Sequence, residues 1–129
     1  HGIVHLMARA APRLTLPPSA RLAGRPAFAA VFASKTKVSR GPFSLYAIPN
    51  NLPHSRFGTS IGRPSGSAPT RNTIKRRIRE AYRHLRPTLP GQYDMVLVIR
   101  PHKPQTKDDY QALLLALHQK LHQLLSPNG

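Results

Sequence analysis

Residues 71–86 hold seven Lys or Arg, His84 and a single acid, Glu80, in a segment of helical periodicity. At about 100° per residue, Ile74, Ile78, Ala81 and Leu85 gather on one side. Arg71, Asn72, Lys75, Arg76, Arg79, Arg83 and Arg86 share an adjacent arc of roughly 140°. A helix of this kind must lay its apolar stripe on a core and turn its cationic arc toward a partner. Glu80 and Arg77 fall outside the arc, and this single acid cannot neutralise the arc's six cations. Such a surface suits a polyphosphate.

The whole chain has the same bias: 20 Lys and Arg against four Asp and Glu give a net charge of +16 over 129 residues. Nucleic acid is the expected partner, because clustered basic charge binds phosphate by releasing counterions, and guanidinium groups add planar, bidentate contacts. Scattered solubilising charge does not account for the clustering, and the apolar face of residues 71–86 is too narrow, and too poor in Trp and Phe, to favour a membrane surface. The chain has no Cys, hence no disulfide framework and no thiolate metal site, which agrees with a reducing compartment and a cytoplasmic location. Residues 1–7 are too short, and too soon followed by Arg9, Pro12 and Arg13, to read as a signal peptide or membrane span.

The order of elements predicts an α/β (α+β) domain. Residues 1–20, rich in Ala, Pro and Arg, read as a flexible basic arm; residues 21–125 read as one domain and 126–129 as a tail. Helical spacing covers residues 25–33, with Pro26 in the first turn. Residues 43–48 alternate like a strand, and 56–61 read as a second strand, most simply its antiparallel partner. A Gly/Pro/Ser loop over 62–70, carrying Arg63, feeds the basic helix and offers free backbone N–H groups to an anion. Residues 93–99 are apolar enough for a central strand; strand, crossover helix and strand then suggest a parallel pair. From Lys107 onward the chain reads as a last helix, with Asp108 and Asp109 in its first turn and a stripe of Tyr110, Leu113, Leu114, Leu117, Leu121, Leu124 and Leu125 facing the core.

Protein-based catalysis finds little support. Glu80, Asp94, Asp108 and Asp109 are the only acids, and the adjacent Asp pair serves the helix start, too small a set for a two-metal nuclease. His118 and His122, four apart, read as a solvated flank of the last helix, since no third ligand accompanies them. His84 and His102 lie beside cations and read as contacts to water or phosphate. No catalytic residue and no metal ligand is assigned.

Arg71-Asn72-Thr73-Ile74-Lys75-Arg76, followed by Arg79-Glu80, resembles the signature helix of the bacterial ribonuclease P protein subunit, whose pattern is Arg-Asn-Arg, then Lys-Arg, then Arg-Glu or Arg-Gln. Leu22 with Phe28, Val31 and Phe32 resembles the family's first helix. Residues 43–46, 56–61 and 93–101 resemble three of its strands and their exits. The likeness runs in order over residues 14–125. Thr73 stands where the family carries its second Arg. Gly62-Arg63-Pro64 replaces a Ser-Lys-Lys-like stretch, and Arg77 is a candidate for compensating the missing charge.

The resemblance implies a two-layer sandwich like the second domain of ribosomal protein S5, with a left-handed β-α-β crossover that general chirality would not predict. It implies a subunit of the ribonuclease P holoenzyme, a monomer in a 1:1 complex with the catalytic RNA, that assists removal of the 5′ leader from precursor tRNA. The hydrolytic chemistry and Mg²⁺ would then reside on the RNA subunit and substrate. Arg63, Arg71, Asn72, Lys75, Arg76, Arg79 and Arg83 would bind RNA, and a cleft of Phe28, Phe32 and Tyr46 would receive the leader. The alternative class is a noncatalytic RNA-binding protein such as a ribosomal protein. If about six phosphates are neutralised, log affinity for RNA falls against log salt with a slope of roughly −4 to −5 in a titration; Arg71→Ala or Lys75→Ala flattens it by about one contact.

Overall fold

The strand Tyr93–Ile99 is apolar on both faces and needs cover on both sides. In the computed structural model, which describes residues 16–125, it lies inside a four-stranded sheet. The elements run α1 (Arg25–Ala33), β1 (Lys37–Arg40), β2 (Phe43–Pro49), β3 (Arg56–Ile61), α2 (Ala68–Leu85), β4 (Tyr93–Ile99) and α3 (Lys107–Leu125). The spatial order is β1-β2-β4-β3, with β2 antiparallel to β1 and β4 and with β3 parallel to β4. The predicted hairpin of residues 43–48 and 56–61 is therefore corrected, because β4 takes the place between them. The connecting loop is short enough for a hairpin, but β4 has the larger apolar demand and wins the inner position. The edge strand β1 was not anticipated; four residues with Lys37 and Arg40 carry too little alternation to read as a strand.

The inner face of the sheet presents Phe43, Leu45, Ala47, Phe57, Met95, Leu97 and Ile99 to Ile74, Ile78 and Ala81 of α2 and to Tyr110, Leu114, Leu117 and Leu121 of α3. On the outer face, Val96 packs with Val31 of α1 and with Leu22. Burying a side chain of this size contributes about 1.5–3 kcal/mol, so β4 anchors both layers. Leu16 and Ala20 are buried in the main core, and the N–H of Leu22 donates to the carbonyl of Phe57 at 3.1 Å. The segment from Leu16 thus belongs to the domain, which corrects the expected arm boundary at residue 20; residues 1–15 of that arm, and the expected tail at 126–129, lie outside the described residues.

The expected first-turn acids of α3 form a reciprocal cap: the N–H of Asp109 donates to Thr106 Oγ1 at 3.1 Å, and the N–H of Thr106 donates to Asp109 Oδ2. Leu124 leaves the predicted stripe and is 62% exposed. His118 is not a solvated flank but a core residue, 2% exposed, with Nε2 donating to the Pro90 carbonyl at 2.8 Å. His122 Nδ1 meets the Tyr93 hydroxyl at 2.6 Å. His102 is likewise internal in its bonding, joining Tyr110 Oη at 2.7 Å and the Arg100 carbonyl. Chain distance hid these partners. No helix among the described residues is long and apolar enough to cross a membrane.

A buried acid ties three strands together. Arg56 donates to Asp94 through Nε at 2.8 Å and through Nη2, and Asn50 Nδ2 donates to Asp94 Oδ1 at 2.8 Å. Burial pushes the Asp94 carboxyl up, but these hydrogen bonds and the Arg56 charge outweigh it and hold it below the usual carboxylate range. Burial holds the His118 imidazole below its ordinary value, against the opposing bond to Pro90. Both folded pKa values are depressed, so stability falls in two limbs on acidification: His118 titrates from about pH 6.5 downward, and Asp94 below about pH 4. Urea midpoints against pH should show both limbs. His118→Gln removes the first, and Asp94→Asn removes the second while costing about 1–3 kcal/mol at neutral pH.

Candidate nucleic-acid interface

The loop before α2 sets up its N-terminus. A single 3-10 turn, Arg63–Ser65, leads to Gly66 at φ +129°, where a side chain would be strained. Ser67 then caps the helix by accepting from the N–H of Thr70 at 3.4 Å. Arg63 is exposed on this turn. Thr73, in the place of the family arginine, donates its hydroxyl back to the Pro69 carbonyl at 3.0 Å. It lies about 60° beyond the cationic arc, so no charge replaces the missing one there. One turn on, Arg77 Nη1 donates to the Gln105 carbonyl at 2.9 Å, tying α2 to the segment that leads into α3.

Tyr82 divides the predicted arc. It is buried, stacks on Phe57 with centroids 4.2 Å apart and planes 9° from parallel, and burial pushes its phenol up to about 12. Tyr82 falls at the same angle on the helix as Arg71 and Lys75, which are consequently half-buried, while Asn72, Arg76 and Arg79 are exposed. Arg83 is half-buried, beside exposed His84. Nε of Arg71 is shielded from solvent with no acceptor among the described residues. The ion pairs among the described residues are Arg56–Asp94 and Lys107–Asp108; neither involves α2. The cations of α2 therefore have no acidic partner among the described residues.

The aromatic residues occupy the outer face of the sheet. One row across it reads Lys37, Tyr46, Val96, Gly58, from β1 to β3. Phe32, 38% exposed, meets Tyr46 edge-on at 5.0 Å, and the Lys37 ammonium stands 5.8 Å from the Tyr46 ring centre. Phe28 is 6.5 Å from Phe32 and lies over Gly58 at the β3 edge. A Cβ at Gly58 would come within 2.6 Å of Phe28 Cζ, so glycine is what lets this ring rest on the sheet. The three predicted rings thus come together, although Phe28 is wedged and Phe32 is open. Arg79 of α2 shares a cavity with Phe28. Lys37 was missed, because its signal is a single cation on a strand too short to recognise.

The ribonuclease P family profile matches residues 16–125. The chain belongs to the ribonuclease P protein family. It is 34% identical to the ribonuclease P protein component of Chlamydia trachomatis over 88% of this chain and 92% of that protein. The match to the Acholeplasma laidlawii ribonuclease P protein component is 38% identical over 55% of this chain and 61% of that protein, and the Levilactobacillus brevis match spans 64% of its relative. Among solved structures, the RNase P protein of Staphylococcus aureus superposes with a TM-score of 0.69 at 26% identity, over 78% of this chain and 94% of that one. The protein from Thermotoga maritima gives 0.58 at 27% identity, over 81% and 94%.

The wedge at Gly58 separates two kinds of aromatic residue in this family member. Phe28→Ala should cost about 3 kcal/mol or more in urea denaturation, whereas Phe32→Ala should cost roughly 1 kcal/mol or less. Gly58→Ala should destabilise like Phe28→Ala, because the added methyl expels the ring.

Proposed function

We propose that this chain is the protein subunit of ribonuclease P, binding the catalytic RNA and the 5′ leader of precursor tRNA to assist endonucleolytic maturation of tRNA in the cytoplasm. The observation that carries this reading is the uncompensated cationic face of α2 on a domain whose outer sheet face offers an open ring, Phe32, beside Tyr46 and Lys37. Arg63, Arg71, Asn72, Lys75, Arg76, Arg79 and Arg83 track phosphates of the RNA, as monomer to one RNA. An unpaired leader base of any identity stacks on Phe32 and Tyr46, since every base has a π-face.

Three of the protein's four acids serve its own structure: Asp94 holds Arg56, Asp109 caps α3 and Asp108 pairs with Lys107 at 3.2 Å. In this reading Mg²⁺ and the hydrolytic chemistry belong to the RNA subunit and substrate, and the protein acts through binding. Its cations screen RNA–RNA repulsion that divalent ions otherwise offset. Cleavage of labelled precursor tRNA by a bacterial ribonuclease P RNA, with and without this chain, tests the proposal. The chain should lower the Mg²⁺ requirement, while RNA-free protein should cleave at no Mg²⁺ concentration. Phe32→Ala should cost roughly 1–3 kcal/mol of affinity for precursor tRNA and leave mature tRNA nearly unaffected. Equal losses for both would move leader recognition elsewhere, and no effect on cleavage would favour an RNA-binding protein of the ribosomal class.

A further inference from the structure

Beyond Phe28, at the β3 edge, the structure contains a second chamber that the leader cleft does not use. Its volume is about 170 Å³, and Arg21 and Arg79 approach it from different parts of the chain. Arg21 comes from the segment before α1 and bridges to Phe57, while Arg79 comes from the exposed side of α2. Leu22, Phe28 and the backbone of Gly58 line its apolar part, and Thr59 adds a hydroxyl. Nε of Arg21 donates to the Leu16 carbonyl at 3.0 Å, which fixes the guanidinium while leaving its terminal amino groups outside that bond.

The chemistry of this chamber is specific. Two exposed guanidinium groups line this one small cavity, and neither belongs to an ion pair among the described residues, so both are available to an anion. Guanidinium groups match phosphate oxygens in geometry, and a bidentate pair adds orientation as well as energy. The volume is close to that of a cavity of about 150 Å³ that accepts a benzene ring, and the lining here is part polar, so the space suits one planar ring with polar edges. We propose that the chamber holds a single nucleotide of an RNA strand, its phosphate shared by Arg21 and Arg79 and its base placed against Leu22 and the edge of Phe28. Phe28 then separates this nucleotide from the one on Phe32 and Tyr46, and Gly58 serves both positions by letting the ring lie low.

The site rests on the ribonuclease P reading, and the strand can come from the 5′ leader or from the catalytic RNA. The test uses the full chain reconstituted with a bacterial ribonuclease P RNA. Affinities for that RNA alone, for precursor tRNA and for mature tRNA are measured against KCl concentration for wild type, Arg21→Gln, Arg79→Gln and the double variant, with melting temperatures as the folding control. Each single change should weaken binding about tenfold and flatten the log–log salt slope by about one. The double variant should flatten it little further, because one phosphate is shared. Arg21→Lys, which keeps the charge without Nε, should retain the wild-type slope and guards against a purely structural loss.

A loss confined to precursor tRNA assigns the nucleotide to the leader; a loss already present with the RNA subunit assigns it to the catalytic RNA. In the strand so identified, a single abasic position should weaken binding to wild type several-fold and leave the double variant unchanged. Unaltered slopes in folded variants, a double variant that loses two separate contacts, or the lack of any sensitive abasic position would overturn the site. Wild-type chain that binds none of the RNAs would instead overturn the functional reading beneath it, and the site with it.

Discussion

Everything in this domain is arranged around β4, a strand that must hide both of its faces. Met95, Leu97 and Ile99 require one layer and Val96 another, so a single strand brings α2 and α3 to one side and α1 to the other. That demand also decides the topology. A strand buried on both sides cannot sit at an edge, so β2 and β3 flank it, one antiparallel and one parallel. The basic helix, as the connection from β3 to β4, is thereby fixed along the inner face with one side left to solvent. The placement of α1 is the same requirement met on the opposite face, and it carries Phe28 and Phe32 onto the outer sheet face beside Tyr46.

Much of this was legible in the chain. Element spans followed from periodicity and caps: residues 25–33, 56–61 and 93–99 coincide with α1, β3 and β4, and the helix expected from Lys107 onward starts where α3 does. Pairing was less legible. Loop length suggested a hairpin, and only the competition among strands for the inner position shows why β2 and β3 are separated. The histidines mark a second limit. His118 and His102 look polar and near other charges in sequence, yet each finds its partner across the fold, at Pro90 and at Tyr110. Hydrogen-bond satisfaction of a buried group depends on distant chain, which periodicity does not report.

The binding surface was legible to a similar degree. A helical wheel gives the side of α2 that carries charge but not how far the core intrudes on it. Tyr82, amphipathic and flanked by cations, goes inward to stack on Phe57 and draws Arg71 and Lys75 partly with it. Arg77 is one more cation by composition and a strut by geometry. Phe28 and Phe32 have the same residue type and helix spacing; their roles separate only through Gly58, whose missing side chain admits one ring and not the other.

Arg100 bears on a different problem, the protection of the sheet's open edges in a strongly basic chain. Its guanidinium binds Ser44 Oγ, the Gly41 carbonyl and the Phe43 carbonyl, clamping the turn that joins β1 to β2. The outermost strand is thus short, ends in a pinned turn and carries Lys37 and Arg40. The opposite edge, β3, is occupied by the Arg21 bridge and the Leu22 bond to Phe57. Open edges invite strands of other molecules to add on, and short, charged or covered edges discourage them. Mutual repulsion of chains at +16 acts in the same direction. Short, charged and covered edges together guard the sheet against the ordered addition of strands from other molecules.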